Sequence, residues 1–113
     1  NFFMKVFICI NDLSKVKEDE YDPKKIIDKK VIKEEISGIF FYSKSVEDLA
    51  LKKKSSLWLS FAKRKKIPIY VCTNSLSLRN LHKNINPSVQ ITGLGQLIEG
   101  VVASDKTEVI GEI

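Results

Sequence analysis

Short apolar runs alternate along this chain with segments whose apolar residues repeat at helical spacing, and few folds accept that alternation. Residues 4–10, 39–42, 67–72, 89–91 and 107–110 read as strands. The first of them is nearly continuous in its apolar character, as a strand covered on both faces requires. Between the strands, residues 22–35 read as a helix with Pro23 in its first turn, where a missing N–H costs nothing. Ile27 and Val31 lie four apart, as do Ile32 and Ile36, and together they predict an inward stripe. Ser45-Val46-Glu47-Asp48 resembles a capping box, and Leu57, Trp58, Phe61 and Ala62 beyond it are expected to share one buried helical face. Residues 75–81 and 96–103 read as two further helices. Strands alternating with helices predict an α/β fold: three layers, with a mainly parallel five-stranded sheet and helices on both faces.

The length of 113 residues suits one domain spanning 1–113, and an apolar share of 43% can build a core for it. No stretch approaches the roughly 18 apolar residues of a membrane span. The apolar start, residues 2–10, is broken by Lys5 and is not followed by a small-residue cleavage site, so a signal peptide is not expected. The expectation is a cytoplasmic protein with no membrane partner. The net charge of +5 invites a nucleic-acid reading, but lysine far outnumbers arginine, and isoleucine and asparagine abound. That bias is what an AT-rich genome produces, so charge alone is a poor guide to RNA binding. Lys63, Arg64, Lys65 and Lys66 fall at a helix C-terminus, where cations suit the dipole; this reading is preferred to a phosphate-binding patch.

Two cysteines, Cys9 and Cys72, make no disulfide framework, and a single His82 with no paired CxxC leaves a zinc site without its usual ligands. Cys9 sits mid-strand among apolar neighbours and reads as core. Cys72 closes a strand just before a helix start. Open α/β sheets place their ligands at the carboxyl ends of parallel strands, and amide dipoles at a helix start attract negative charge. The same position also suits a small buried hydrophobe finishing a strand. His82 lies ten residues on, and the intervening helix is expected to carry its imidazole away from the strand end. Gly93 and Gly95 lack the third glycine of a dinucleotide fingerprint, since Ile98 stands there, and read instead as tight-turn residues.

Three segments together resemble the TusD/DsrE family of small sulfur-carrier subunits. Ile39-Phe40-Phe41-Tyr42 followed by Ser45-Val46 is similar to that family's second strand and turn. Ile69-Tyr70-Val71-Cys72 followed by Leu76-Ser77-Leu78-Arg79 is similar to its strand ending on the active cysteine. Ile91-Thr92-Gly93-Leu94-Gly95-Gln96-Leu97-Ile98-Glu99 is similar to its "LSGLGALAEA" segment, and Ser104-Asp105-Lys106 stands where an Asp-Arg often precedes the last strand. Order and spacing match over residues 39–110. The chain departs from the family after its first strand, where Asn11-Asp12-Leu13-Ser14 replaces a glycine-containing loop.

The resemblance implies a DsrE-like fold and a sulfurtransferase that carries sulfur as a persulfide on Cys72. It implies a TusA-like donor, a TusE-like acceptor and assembly with TusB- and TusC-like subunits. The sulfur would move towards 2-thiolation of the tRNA wobble uridine, with tRNA involved only indirectly and no cofactor or metal. Phe40, Phe41 and Tyr42 are expected to add aromatic surface for that assembly. Two alternatives stand beside this one: a non-catalytic DsrE-fold interaction subunit, and a family member working in sulfur oxidation. A basic RNA-binding domain is weaker, because no aromatic platform is interleaved with the basic residues.

Overall fold

A computed structural model describes residues 4–32 and 34–111. Phe2 and Phe3, in the first apolar run, and Lys33, inside the expected 22–35 helix, lie outside the described residues. Five strands form one sheet: β1 (Lys5–Ile10), β2 (Glu35–Phe41), β3 (Ile69–Cys72), β4 (Gln90–Thr92) and β5 (Lys106–Ile110). Their order is β4-β3-β2-β1-β5, and every pairing is parallel. The helices are α1 (Pro23–Asp28), α2 (Val46–Leu49), α3 (Lys52–Lys65), α4 (Thr73–Arg79) and α5 (Leu94–Ala103). The α/β class, the three layers and the five-stranded parallel sheet are as the alternation predicts.

The strand order dictates the layers. Parallel connections are right-handed almost without exception. The chain steps from β1 to β4 in one direction, so the helices of those crossovers lie on one face. The return from β4 across the sheet to β5 runs the other way and leaves α5 on the opposite face. Side chains alternate between these faces along each strand. Val6, Ile8, Ile10, Ile39, Phe41, Ile69 and Val71 point into the larger core, where Ile26, Ile27, Trp58, Phe61 and Leu76 from the helices meet them. Phe7, Cys9 and Phe40 point the other way, with Tyr42, Tyr70, Cys72, Leu97 and Val109 packed around them.

Trp58 anchors the larger core. It is fully buried, edge-on to Phe41 at 5.0 Å and to Phe61 at 6.3 Å between ring centres. Its indole Nε1 donates to the Tyr21 hydroxyl at 3.0 Å, and that hydroxyl donates to Asp48 Oδ2 at 2.6 Å. Burial raises the Asp48 carboxyl above its ordinary pKa. Ser55, Trp58, Phe61 and Ala62 form the buried stripe of α3. Leu57, expected in it, is 38% exposed, because it sits about 100° around the helix from Trp58. Lys63, Arg64, Lys65 and Lys66 are exposed, at the end of the sheet where β3 begins.

Two expectations fail in instructive ways. The 22–35 helix stops at Asp28, Ile32 is 83% exposed, and β2 already begins at Glu35. Val31 still packs inward, but Ile36 does so from a strand, so the four-residue spacing of Ile32 and Ile36 was coincidental. Within β2, the register with β1 slips between Val6 and Phe7, leaving Ser37 as a bulge. Gly38 lies inside β2, where a Cβ would sit 3.0 Å from the Phe7 ring and 3.1 Å from that of Tyr70. The capping box also fails. Ser45 has helical dihedrals as the last residue of a 3₁₀ turn, Ser43–Ser45, and its side chain makes no bond to the α2 amides. Its Oγ donates instead to the carbonyls of Ile10 at 2.6 Å and Tyr42 at 2.9 Å, tying the carboxyl ends of β1 and β2 together.

Candidate functional site

Cys72 is the last residue of β3 and the N-cap of α4, with extended dihedrals of φ −69° and ψ 119°. Its register partner is Thr92, the last residue of β4. From these two adjacent ends the chain departs to opposite faces: α4 packs Leu76 into the larger core, and α5 lies on the face of Phe7 and Cys72. Diverging helices open a crevice at the carboxyl ends of the strands, which is where open α/β sheets bind ligands. Here the crevice is a cleft of about 390 Å³. Phe40, Tyr42, Cys72 and Leu97 line it from the sheet and α5, Leu78 and Leu94 line it from the two helices, and Ser43, Asn74, Ser75, Arg79 and Gly93 add the polar and backbone groups.

Cys72 is half-buried and lines this cleft. Thr73, Asn74 and Ser75 form the first turn of α4, so the helix expected over residues 75–81 starts directly after Cys72. Ser43 takes a left-handed backbone at φ 55°, a strained conformation for a non-glycine residue, and its N–H donates to Ser75 Oγ at 2.8 Å. That bond locks the end of β2 to the start of α4. Arg79 is held on the rim by bonds from Nε to Glu47 at 3.1 Å and from a terminal nitrogen to the Ser75 carbonyl at 3.2 Å.

His82 is not carried away. α4 ends at Asn80 in the left-handed conformation, the chain doubles back through a 3₁₀ turn (His82–Asn84), and the imidazole Nε2 comes 3.1 Å from Thr73 Oγ1. Its contact is with the residue after Cys72; no hydrogen bond to the sulfur occurs among the described residues. The glycine reading also changes. Gly93 is the extended N-cap of α5, Gly95 lies inside that helix, neither has a positive φ, and a Cβ on either would meet nothing within 4 Å. Tight turn geometry does not explain them.

Cys9 lies on the same face, two strands away, and is 5% exposed. Burial pushes its thiol up to about 11. The fold thus keeps two cysteines on one face, one enclosed and one at a cleft. Phe40 and Phe41, expected to be available for assembly, are buried, and only Tyr42 of that trio is half-exposed. The exposed apolar surface is instead on α5 and the rim: Leu78, Leu94, Ile98 and Val102 are each more than half exposed. The apolar character of residues 94–103 is a visible signal for this, since Leu94, Leu97, Ile98, Val101 and Val102 are more apolar residues than one face against a sheet can cover. Among the described residues no cluster of His, Cys, Asp or Glu has the makings of a metal site, and no helix is long and apolar enough to cross a membrane.

No family model matches the chain, and no curated protein does either. Among solved structures, the YchN protein from E. coli superposes with a TM-score of 0.68 at 14% identity, over 96% of this chain and 100% of that one. At that identity the likeness speaks for the fold and not for the chemistry: the chain shares the α/β fold of YchN, with its five-stranded parallel sheet.

Proposed function

We propose that this chain is a persulfide-relay subunit, with Cys72 as the carrier. One observation carries the reading: a half-buried cysteine stands at the carboxyl edge of a parallel sheet, lining a mostly apolar cleft where the following helices diverge. The transfer needs only a thiolate. The Cys72 thiolate attacks the outer sulfur of a donor persulfide, a new S–S bond forms, the donor S–S bond breaks, and the donor leaves as a thiolate. In the second step an acceptor thiolate attacks the outer sulfur and the Cys72 thiolate leaves. The sulfur atom moves without net oxidation or reduction, so no cofactor is called for.

The family resemblance supports the finer reading: a TusD-like subunit of a TusBCD-like complex, taking sulfur from a TusA-like donor and passing it to a TusE-like acceptor, towards 2-thiolation of the tRNA wobble uridine. The exposed apolar side chains of α5 support assembly with sister subunits of the same fold. The rival is a subunit that joins the assembly through the same surface and carries no sulfur. Incubation with a cysteine desulfurase, a TusA-like donor and sulfur-labelled cysteine separates the two. The relay reading expects label on the Cys72 peptide, and the rival expects none.

A further inference from the structure

Thr92 has an unusual hydroxyl. Its Oγ1 is buried and has no hydrogen-bond partner. Of the neighbouring hydroxyls near the carboxyl end of the sheet, Ser45 donates to two carbonyls, Ser75 accepts from the Ser43 amide, and Thr73 meets His82, so each of these three has a partner where Thr92 has none. Burying a hydroxyl without a partner is unfavourable, and a valine would fill the same space on a β-strand without that penalty. The unspent hydrogen bond lies beside the one reactive group nearby. Thr92 and Cys72 are register partners on adjacent parallel strands, so their side chains leave the same face of the sheet, about 4.8 Å apart across the ladder. α5 starts two residues later on this face, and the hydroxyl oxygen is shut off from solvent.

We infer that Thr92 is a binding residue for the carried sulfur, its hydroxyl donating to the terminal sulfur of a Cys72 persulfide. The inference rests on the relay reading. In the free thiol the two side chains share no hydrogen bond. Loading adds a second sulfur about 2 Å beyond the first, with the negative charge concentrated on it. A terminal persulfide anion is an acceptor without an obligatory donor, and Thr92 is a donor without an acceptor. The pairing satisfies both only in the loaded state, so it favours holding sulfur over lacking it. It also fixes the direction of the terminal sulfur, which an incoming acceptor thiolate must approach along the S–S axis.

The test is loading by inorganic tetrasulfide, whose terminal sulfur the Cys72 thiolate takes while trisulfide leaves. The loaded fraction of Cys72 at equilibrium is read by peptide-resolved mass spectrometry after thiol blocking, across a tetrasulfide series. Thr92→Val is expected to lower the loading constant about tenfold, the size of one hydrogen bond to a charged group. Thr92→Ser is expected to restore it. Alkylation of unloaded Cys72 should proceed at the same rate in all three proteins, and thermal unfolding of Thr92→Val should match or exceed that of the unsubstituted chain. Equal loading of Thr92→Val, or a failure of Thr92→Ser to restore a loss, overturns this inference and leaves the relay reading standing. No loading of Cys72 in the unsubstituted chain overturns both.

Discussion

The two faces of the sheet are built to different standards. One is sealed by four helices around Trp58, and its central strand side chains, Val6, Ile8, Ile10, Ile39, Phe41, Ile69 and Val71, are at most 3% exposed. The other has a single helix, α5, with no fully buried residue, and Tyr70, Cys72 and Val109 on its strands are only partly buried. The difference follows from strand order, since three crossovers go one way and a single return goes the other. A fully packed face gives stability and leaves no room for a ligand. The face with one helix leaves a cleft at its carboxyl edge, and Cys72 is there.

Substitutions can break this contrast. The largest effect is expected for Trp58→Ala, a loss of about 3–5 kcal/mol from a filled core. Denaturant titration beside Leu97→Ala, on the half-covered face, should show a cost of less than half that. Equal losses would mean that the two faces share the stability evenly.

Gly100 probes the single helix. A Cβ there would lie 2.4 Å from the Phe7 ring, so α5 rests on β1 only because this residue is glycine. Alanine normally improves a helix by roughly 1 kcal/mol. Gly100→Ala should instead destabilise by about 1–3 kcal/mol through overpacking. A stabilised variant would show that α5 can lift from the sheet without penalty.

The cysteines compare two depths of the same face. At neutral pH iodoacetamide should modify Cys72 at least about tenfold faster than Cys9, whose thiol is enclosed and pushed up to about 11. Peptide mapping over time reads both rates at once. Comparable rates would mean that α5 opens often enough to expose the whole face.

The smallest effect concerns the sealed face. Asp48 is raised above its ordinary value of 3.8 by burial, so the folded protein binds its proton more tightly than the unfolded chain does. Its contribution is therefore fully present below pH 3.8 and is lost as pH rises through the folded pKa. Asp48→Asn keeps an acceptor for Tyr21 and removes this titration. The stability difference between the two proteins should move in favour of asparagine between pH 3.8 and neutrality. A gap independent of pH would remove Asp48 from the account.

The sealed face was the more legible one in the sequence. Trp58, Phe61 and the strand runs obey simple periodicities, because burial on both sides imposes them. The 22–35 helix misled because Ile32 and Ile36 satisfy helical spacing by accident, and only the sheet register shows Ile36 to be strand. Cys72 was legible as a strand end. Its cleft was not, since the neighbours that form it come from three separate stretches of the chain and meet through strand order. His82 was misjudged because the reversal after Asn80 depends on a left-handed residue that no local pattern announces. Thr92 gave no signal of its own, since its meaning lies in its pairing with Cys72.

The central claim is that Cys72 carries sulfur, and label transfer from a donor persulfide measures it directly. The chain should take up one labelled sulfur on the Cys72 peptide and release it to an acceptor thiol. Cys72→Ser should fold and assemble as before and carry none, while Cys9→Ser should carry it normally. Label retained in Cys72→Ser, or absent from Cys72 in the intact chain with an active donor, would contradict the account.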